Sequence, residues 1–193
     1  MLMDRDFLKS KFEAALAYDD FVALGDSEGH RPPWDQRYGQ LELDSNQKDL
    51  VKSFTRRTHV LCMSGTWCGD CALQGSAMQR IAEGNPDCIN LRYLLRGEEQ
   101  ADLVVKAPIN AGFRVPVTWF MAEDFEPVAW FGDRTLSRYR SMARKALPPQ
   151  ETAAQPTPPE DPVREVLREM LEEFERVELL LRLSPRLREV HGD

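Results

Sequence analysis

The spacing of apolar residues divides the chain into segments of helical and of extended pattern. Apolar side chains that recur every three or four positions, with charged residues between them, predict amphipathic helices. These helical segments lie at residues 4–24, 45–57, 68–84, 98–107, 134–147 and 163–182. Asp4 and Gly25 are suited to begin and end the first helix, and Asp44 with Gln47 fits a capping box for the second.

Four shorter apolar runs, which contain β-branched residues, predict strands instead. They lie at residues 58–65, 88–95, 115–122 and 127–133. A predicted helix separates the first two strands, and this is the kind of connection that parallel strands need. The last two strands are joined by a tight acidic turn over residues 123–126, which indicates an antiparallel hairpin. The sequence therefore predicts an α/β protein with a mixed four-stranded sheet and helices on both faces.

Two segments rich in proline or glycine separate these elements. Residues 25–43 predict a loop, with at most a short helical turn near Trp34. Residues 148–162 contain six prolines in fifteen positions, which predicts an extended linker. The helix that follows, residues 163–182, carries a continuous apolar stripe. This stripe either docks on its own domain or forms an interface with a partner or a second copy of the chain.

Composition excludes several classes of function. A length of 193 residues suits one domain with extensions, and 25 Lys and Arg against 32 Asp and Glu give a net charge of −7. This acidic balance argues against a nucleic-acid binder and against attraction to an anionic membrane surface. No run approaches the ~18 apolar residues of a membrane-spanning helix, and the charged N-terminal residues do not form a secretory signal. The expectation is a cytoplasmic protein without nucleic-acid or membrane partners.

Among the four cysteines, the pair Cys68-Gly69-Asp70-Cys71 carries the chemistry. The pair lies at the junction between a predicted buried strand and a predicted helix. The chain is expected to be cytoplasmic, where cysteines are mostly kept reduced. Cys68 would be the N-cap of that helix, where unpaired N–H groups and the helix dipole favour a thiolate. Cys71 lies nearly one turn further along. Cys68 is therefore predicted to attack a disulfide, and Cys71 to resolve the mixed disulfide.

The segment from residue 59 to 71, HVLCMSGTWCGDC, resembles the thioredoxin superfamily together with the later Val115-Pro116. The resemblance covers about residues 58–147 and implies a thioredoxin-like fold with Trp67 beside the exposed sulfur. It implies a cis peptide bond between Val115 and Pro116, and a substrate groove in which the Val115 backbone pairs with an extended substrate segment. It also implies protein substrates with disulfides or oxidised cysteines, an upstream dithiol reductant, and a redox-active disulfide in place of a bound cofactor.

The sequence departs from thioredoxin at several positions. Asp70 stands where thioredoxin has proline; it could raise the pKa of the thiols, act as a base for Cys71, or be an exposed loop acid. Cys62 stands where thioredoxin has a buried acid, and it is either a small buried apolar residue or an accessory thiol that forms an alternative disulfide with Cys71. Helices within residues 1–57 replace the first β-α unit, and they are expected to pack on the core and to restrict access to Cys68.

These observations divide the chain into four parts and support two functions. The parts are an N-terminal helical extension at 1–57, a redox domain at 58–147, the linker at 148–162, and a C-terminal helix with its tail at 163–193. The leading hypothesis is a thiol–disulfide oxidoreductase, monomeric or dimeric through the C-terminal helix. The alternative is a binding or redox-sensing module that docks partners on its terminal helices. No metal is expected, because zinc would need two further ligands and the histidines have no paired spacing. The aromatic residues of the hairpin are expected in the core: Trp119, Phe120, Trp130 and Phe131.

Overall fold

Four strands form one mixed sheet in the computed structural model, which describes residues 3–148 and 157–193. The strands are β1 (Thr58–Ser64), β2 (Ile89–Leu95), β3 (Val117–Met121) and β4 (Pro127–Phe131). Their order across the sheet is β2-β1-β3-β4. β1 runs parallel to β2 and antiparallel to β3, and β4 runs antiparallel to β3. The predicted mixed sheet with its βαβ unit and hairpin is confirmed.

Helices cover both faces of this sheet. In the described part of the chain they are α1 (Arg5–Glu13), α2 (Tyr18–Ala23), α3 (Arg31–Gln40), α4 (Ser45–Lys52), α5 (Gly69–Gly84), α6 (Ala101–Val104), α7 (Leu136–Ala146), α8 (Pro162–Arg182) and α9 (Pro185–His191). Most of the predicted linker, residues 149–156, lies outside the described residues, and residues 157–161 lead into α8 without regular structure.

The prediction of a single helix over residues 4–24 is wrong, because the chain breaks between α1 and α2. At the break, Leu16 pairs with Tyr93 on β2 through two backbone hydrogen bonds of 2.9 and 2.8 Å. β2 is an edge strand with unpaired N–H and C=O groups, and this short bridge satisfies two of them. A long-range pairing therefore overrides the local helical periodicity.

The prediction of a loop around Trp34 is also wrong, since α3 is a helix of ten residues. Pro32 and Pro33 lie in its first turn, where a missing N–H costs no intrahelical hydrogen bond. The indole of Trp34 is fully buried, and its Nε1 donates to the Thr66 carbonyl at 2.9 Å. The helix is therefore fixed by tertiary packing. α4 begins at the predicted capping box but ends at Lys52, five residues before the predicted end.

Side chains of β1 alternate between two apolar clusters. Val60 and Cys62 belong to the larger cluster, which is covered by α2, α3, α5 and α8, while Leu61 and Met63 face α1 and α6. In the hairpin, Trp119 and Phe120 are buried as predicted. Trp130 is 52% exposed, so its assignment to the core is wrong.

α8 buries its apolar stripe on the same chain, against the larger cluster. Phe174 meets Phe120 of β3 edge to face, with ring centroids 5.2 Å apart. The buried Glu178 carboxylate accepts the backbone N–H of Thr55 at 2.8 Å and that of Arg56 at 3.3 Å. These bonds join α8 to the segment that follows α4. Of the two interpretations of this stripe, docking within the chain is the arrangement observed.

Candidate active site

The turn between β1 and α5 presents the two cysteines of the motif. β1 is buried along its whole length, and α5 begins directly after Cys68, which is its N-cap with an extended backbone. The Trp67 ring lies over Gly65, where an added Cβ would come within 2.8 Å of the indole. Glycine at this position thus lets Trp67 fold back beside the turn, and the indole remains 51% exposed there.

The two thiols differ in environment and in acidity. The Cys71 thiol donates a hydrogen bond to Cys68, and with the backbone N–H groups of Cys71 and Asp70 it lowers the Cys68 pKa to about 7, against the opposing effect of burial. The Cys71 N–H lies 3.3 Å from the Cys68 sulfur. Cys71 itself is fully buried, and burial raises its pKa well above the ordinary value. At neutral pH the first thiol is therefore partly ionised while the second keeps its proton.

The loop before β3 lies against the first cysteine. The peptide bond between Val115 and Pro116 is cis, as the resemblance implied. The Cys68 sulfur is 3.8 Å from the Val115 carbonyl oxygen, toward which it donates in the thiol form. Pro116 is buried and Val115 is half-buried. The structure thus brings the predicted groove residues and the predicted nucleophile together.

Asp70 is held by two arginines that the sequence analysis did not identify. Its carboxylate accepts Arg134 Nε at 2.6 Å and lies 2.7 Å from an Arg138 nitrogen. Its side chain is only 10% exposed, so the interpretation as an open loop acid is wrong. The signal in the sequence for these two arginines was Asp70 itself, because a carboxylate next to a thiolate is stabilised by a nearby cation.

A chain of ion pairs continues from this contact to the proline loop. Arg134 also contacts the buried Asp133 carboxylate at 2.7 Å, and Arg114, two residues before Pro116, contacts the same carboxylate at 3.1 Å. The network therefore links the cysteine turn, the start of α7 and the proline loop.

Cys62 lies in the core, next to β3. Its register partner is Thr118, and burial raises the pKa of its thiol to about 12. Cys62 is therefore neutral at physiological pH. Its use as an accessory thiol stays a prediction. Cys88 lies just before β2, half-buried, where its sulfur donates to the Phe54 carbonyl at 3.3 Å.

A cleft of about 460 Å³ opens beside Cys68. One wall is the start of α5, the second is Arg37 of α3, and the third consists of Arg134 and Arg138 with the beginning of α8. The helices of the N-terminal region therefore border the nucleophile through Arg37. In the described ranges, 3–148 and 157–193, no group of three or more His, Cys, Asp or Glu side chains is arranged to hold a metal. Nor does any helix of these ranges have the length and apolar character needed to cross a bilayer.

Comparison with known proteins gives a consistent result. The thioredoxin family model matches residues 17–146. No curated protein sequence gives a significant match. The crystal structure of a protein of unknown function from Pseudomonas aeruginosa is similar, with a TM-score of 0.66 and 18% identity over 91% of this chain and 97% of that one. An HIV epitope scaffold is also similar, with a TM-score of 0.60 and 17% identity over 91% of this chain and 98% of that one. Identities this low show a shared fold.

Proposed function

The chain belongs to the thioredoxin family, and from this premise we propose that it is a cytoplasmic thiol–disulfide oxidoreductase that reduces disulfides of partner proteins. The observation that carries the proposal is the unequal acidity of the two thiols. Cys68, with its pKa of about 7, supplies a thiolate at the mouth of a cleft, while the buried Cys71 holds a proton one helical turn away. A dithiol reductase needs this division between an attacking and a resolving thiol.

In the first step, the Cys68 thiolate attacks one sulfur of a substrate disulfide. A bond forms between Cys68 and that sulfur, the substrate S–S bond breaks, and the other substrate sulfur leaves as a thiolate. Once Cys68 is ionised it no longer donates to the Val115 carbonyl, which lies 3.8 Å away. That carbonyl can then accept an N–H of an extended substrate segment, which would orient the disulfide toward the attacking sulfur.

In the second step, Cys71 attacks the Cys68 sulfur. After the first step Cys68 is no longer an anion, so its charge and its hydrogen bond cease to raise the Cys71 pKa, and only burial still does. Cys71 gives its proton to the departing thiolate or to water. The Cys68–Cys71 disulfide forms, the second substrate thiol is released, and the substrate has gained two electrons. One proton comes from Cys71, and the thiolate that left in the first step takes the other from solvent.

An upstream dithiol reductant returns two electrons to the Cys68–Cys71 disulfide by the same exchange chemistry. The catalytic cycle therefore requires no bound cofactor. Trp67 and Gly69 flank the reacting sulfur, and Val115 with Pro116 forms the groove.

Reduction of the interchain disulfides of insulin by dithiothreitol tests this proposal. We expect the protein to accelerate the reaction, Cys68→Ser to abolish the acceleration, and Cys88→Ser to retain it, because Cys88 lies at the distant end of β2. Equal rates for the wild type and Cys68→Ser would contradict the assignment.

Trapping distinguishes the oxidoreductase from a binding module. Cys71→Ser cannot resolve the mixed disulfide, so partners should remain bound through Cys68 and be released by reductant. Partners retained without a covalent bond by a Cys68→Ser/Cys71→Ser variant would favour the binding module.

A further inference from the structure

The cleft beside Cys68 carries an excess of positive charge. Its lining includes three arginines, Arg37, Arg134 and Arg138, and one carboxylate, that of Asp70. Arg134 and Arg138 both pair with Asp70, so a single negative charge is shared between two guanidinium groups. The buried Asp133, behind the cleft, also contacts Arg134. Asp133 also pairs with Arg114, so when both are counted together with the Cys68 thiolate, four guanidinium groups face three negative charges.

Of the three arginines that line the cleft, Arg37 is the one most available to pair with a ligand. Its guanidinium donates to the side-chain oxygen of Gln40 at 2.8 Å, and in the described parts of the chain no carboxylate pairs with it. It lines the cleft from α3, whereas Arg134 and Arg138 line it from α7 and the residues just before that helix. A group that enters the cleft toward Cys68 therefore meets guanidinium groups from two separate segments of the chain.

The start of α8 forms the remaining wall, through Pro162 and Val163. Asp161 caps this helix and accepts the N–H groups of Val163 and Arg164, at 3.0 and 3.1 Å. Its carboxylate is thereby engaged with its own helix. The cationic character of the cleft contrasts with the whole chain, whose net charge is −7.

We propose that this cleft is a substrate subsite for carboxylates that flank the reacting disulfide, and that Arg37 is a specificity-determining residue for them. The inference rests on the proposed function, because the disulfide is the bond that Cys68 attacks. Guanidinium groups donate in a planar fork that matches a carboxylate, so an acidic residue close to a half-cystine fits the cleft. A lysine or arginine at that place of the substrate would be repelled.

Three small disulfides of equal chain length test the charge preference: dithiodipropionate, bis(2-hydroxyethyl) disulfide and cystamine, which end in carboxylate, hydroxyl and ammonium groups. The measurement is the single-turnover rate with the reduced protein, divided by the rate of dithiothreitol with the same disulfide. This ratio removes the intrinsic reactivity of each compound. For the wild type we expect the corrected rate to be about threefold to tenfold higher for the anionic than for the cationic disulfide. This factor is the size of effect that a few partly exposed charge pairs produce.

Arg37→Gln should lower this preference severalfold, and Arg37→Glu should reverse it. Arg182→Gln is the matched control, since it removes the same charge at the far end of α8, roughly 30 Å from the cleft at 1.5 Å per residue. Equal corrected rates for the three disulfides in the wild type, or equal effects of Arg37→Gln and Arg182→Gln, would overturn the subsite. Failure of the proposed function would look different, because the neutral disulfide would then react no faster with the protein than with dithiothreitol.

Peptide disulfides with Glu, Gln or Lys beside the half-cystine identify the source of the carboxylate. A preference for Glu in this series assigns it to a protein segment, and a preference confined to the small disulfides assigns it to a small acidic molecule. Either result, added to the charge preference among the small disulfides, supports the subsite, whereas equal rates for those three disulfides overturn it whatever the peptides show.

Discussion

The Arg134 guanidinium donates to the Asp70 carboxylate at 2.6 Å, although 64 positions separate the two residues. Asp70 lies between the two cysteines, so its charge falls next to the nucleophile and acts to raise the Cys68 pKa. Arg134, together with Arg138, places positive charge on the same carboxylate. The negative charge of Asp70 is thus compensated by two arginines, one just before α7 and one in its first turn.

The balance between Asp70 and Arg138 can be measured through the acidity of Cys68. Arg138→Gln should raise the Cys68 pKa, because the Asp70 charge is then less compensated, and Asp70→Asn should lower it. The double variant should lie between the two single variants. The measurement is the pH dependence of Cys68 alkylation by neutral iodoacetamide, with the adduct located by mass spectrometry. Unchanged midpoints in both single variants would exclude this electrostatic role.

The reactivity of Cys68 should follow its thiolate fraction. Its pKa of about 7 predicts an alkylation rate that rises about tenfold per pH unit below neutrality and levels off above pH 8. The ordinary thiol pKa is 9.0, so folding favours the thiolate. The corresponding contribution to the free energy of unfolding is complete above about pH 9 and is lost as the pH falls through about 7. A midpoint near 9 in alkylation would refute the lowered pKa.

The docking of α8 should depend on Phe174, which meets Phe120 and is almost fully buried. Phe174→Ala should lower the free energy of unfolding by about 3–5 kcal/mol, because it removes apolar contacts and leaves a cavity. Leu180→Ala on the same helix is the control, since Leu180 is 43% exposed, and it should change stability much less. Urea denaturation measures both, and a similar loss for the two variants would argue against docking through this stripe.

Close packing of α5 on α3 should make Gly75 intolerant of a side chain. A Cβ at Gly75 would lie 2.6 Å from the Trp34 ring, so Gly75→Ala should cost about 1–3 kcal/mol of stability through overpacking. Gly39→Ala is the matched control in α3, where nothing other than adjacent residues and the helix's own backbone lies within 4 Å of the added Cβ. This control should be neutral or stabilising, since alanine favours a helix over glycine. Thermal or urea unfolding compares the pair, and equal effects would contradict the packing argument.

The sequence by itself determined the features that depend on neighbours in the chain. The apolar run of β1 and the capping box at Asp44 are local patterns, and they correctly predicted the strand and the start of α4. The position of the two cysteines at the start of α5 was likewise predicted from the short segment that joins the strand to the helix. The mixed sheet followed because few topologies can connect such strands.

Only the tertiary structure decided the features that depend on residues distant in sequence. Leu16 leaves the helical pattern because an edge strand offers backbone partners, and α3 forms because Trp34 finds a buried site. The partners of Asp70 and the cationic cleft with Arg37 arise because α3, α5, α7 and α8 converge at the cysteine turn. Local sequence specifies helices such as α4 and α5, but which charged side chains meet depends on how all the helices pack on the sheet. That packing sets the charge around the nucleophile.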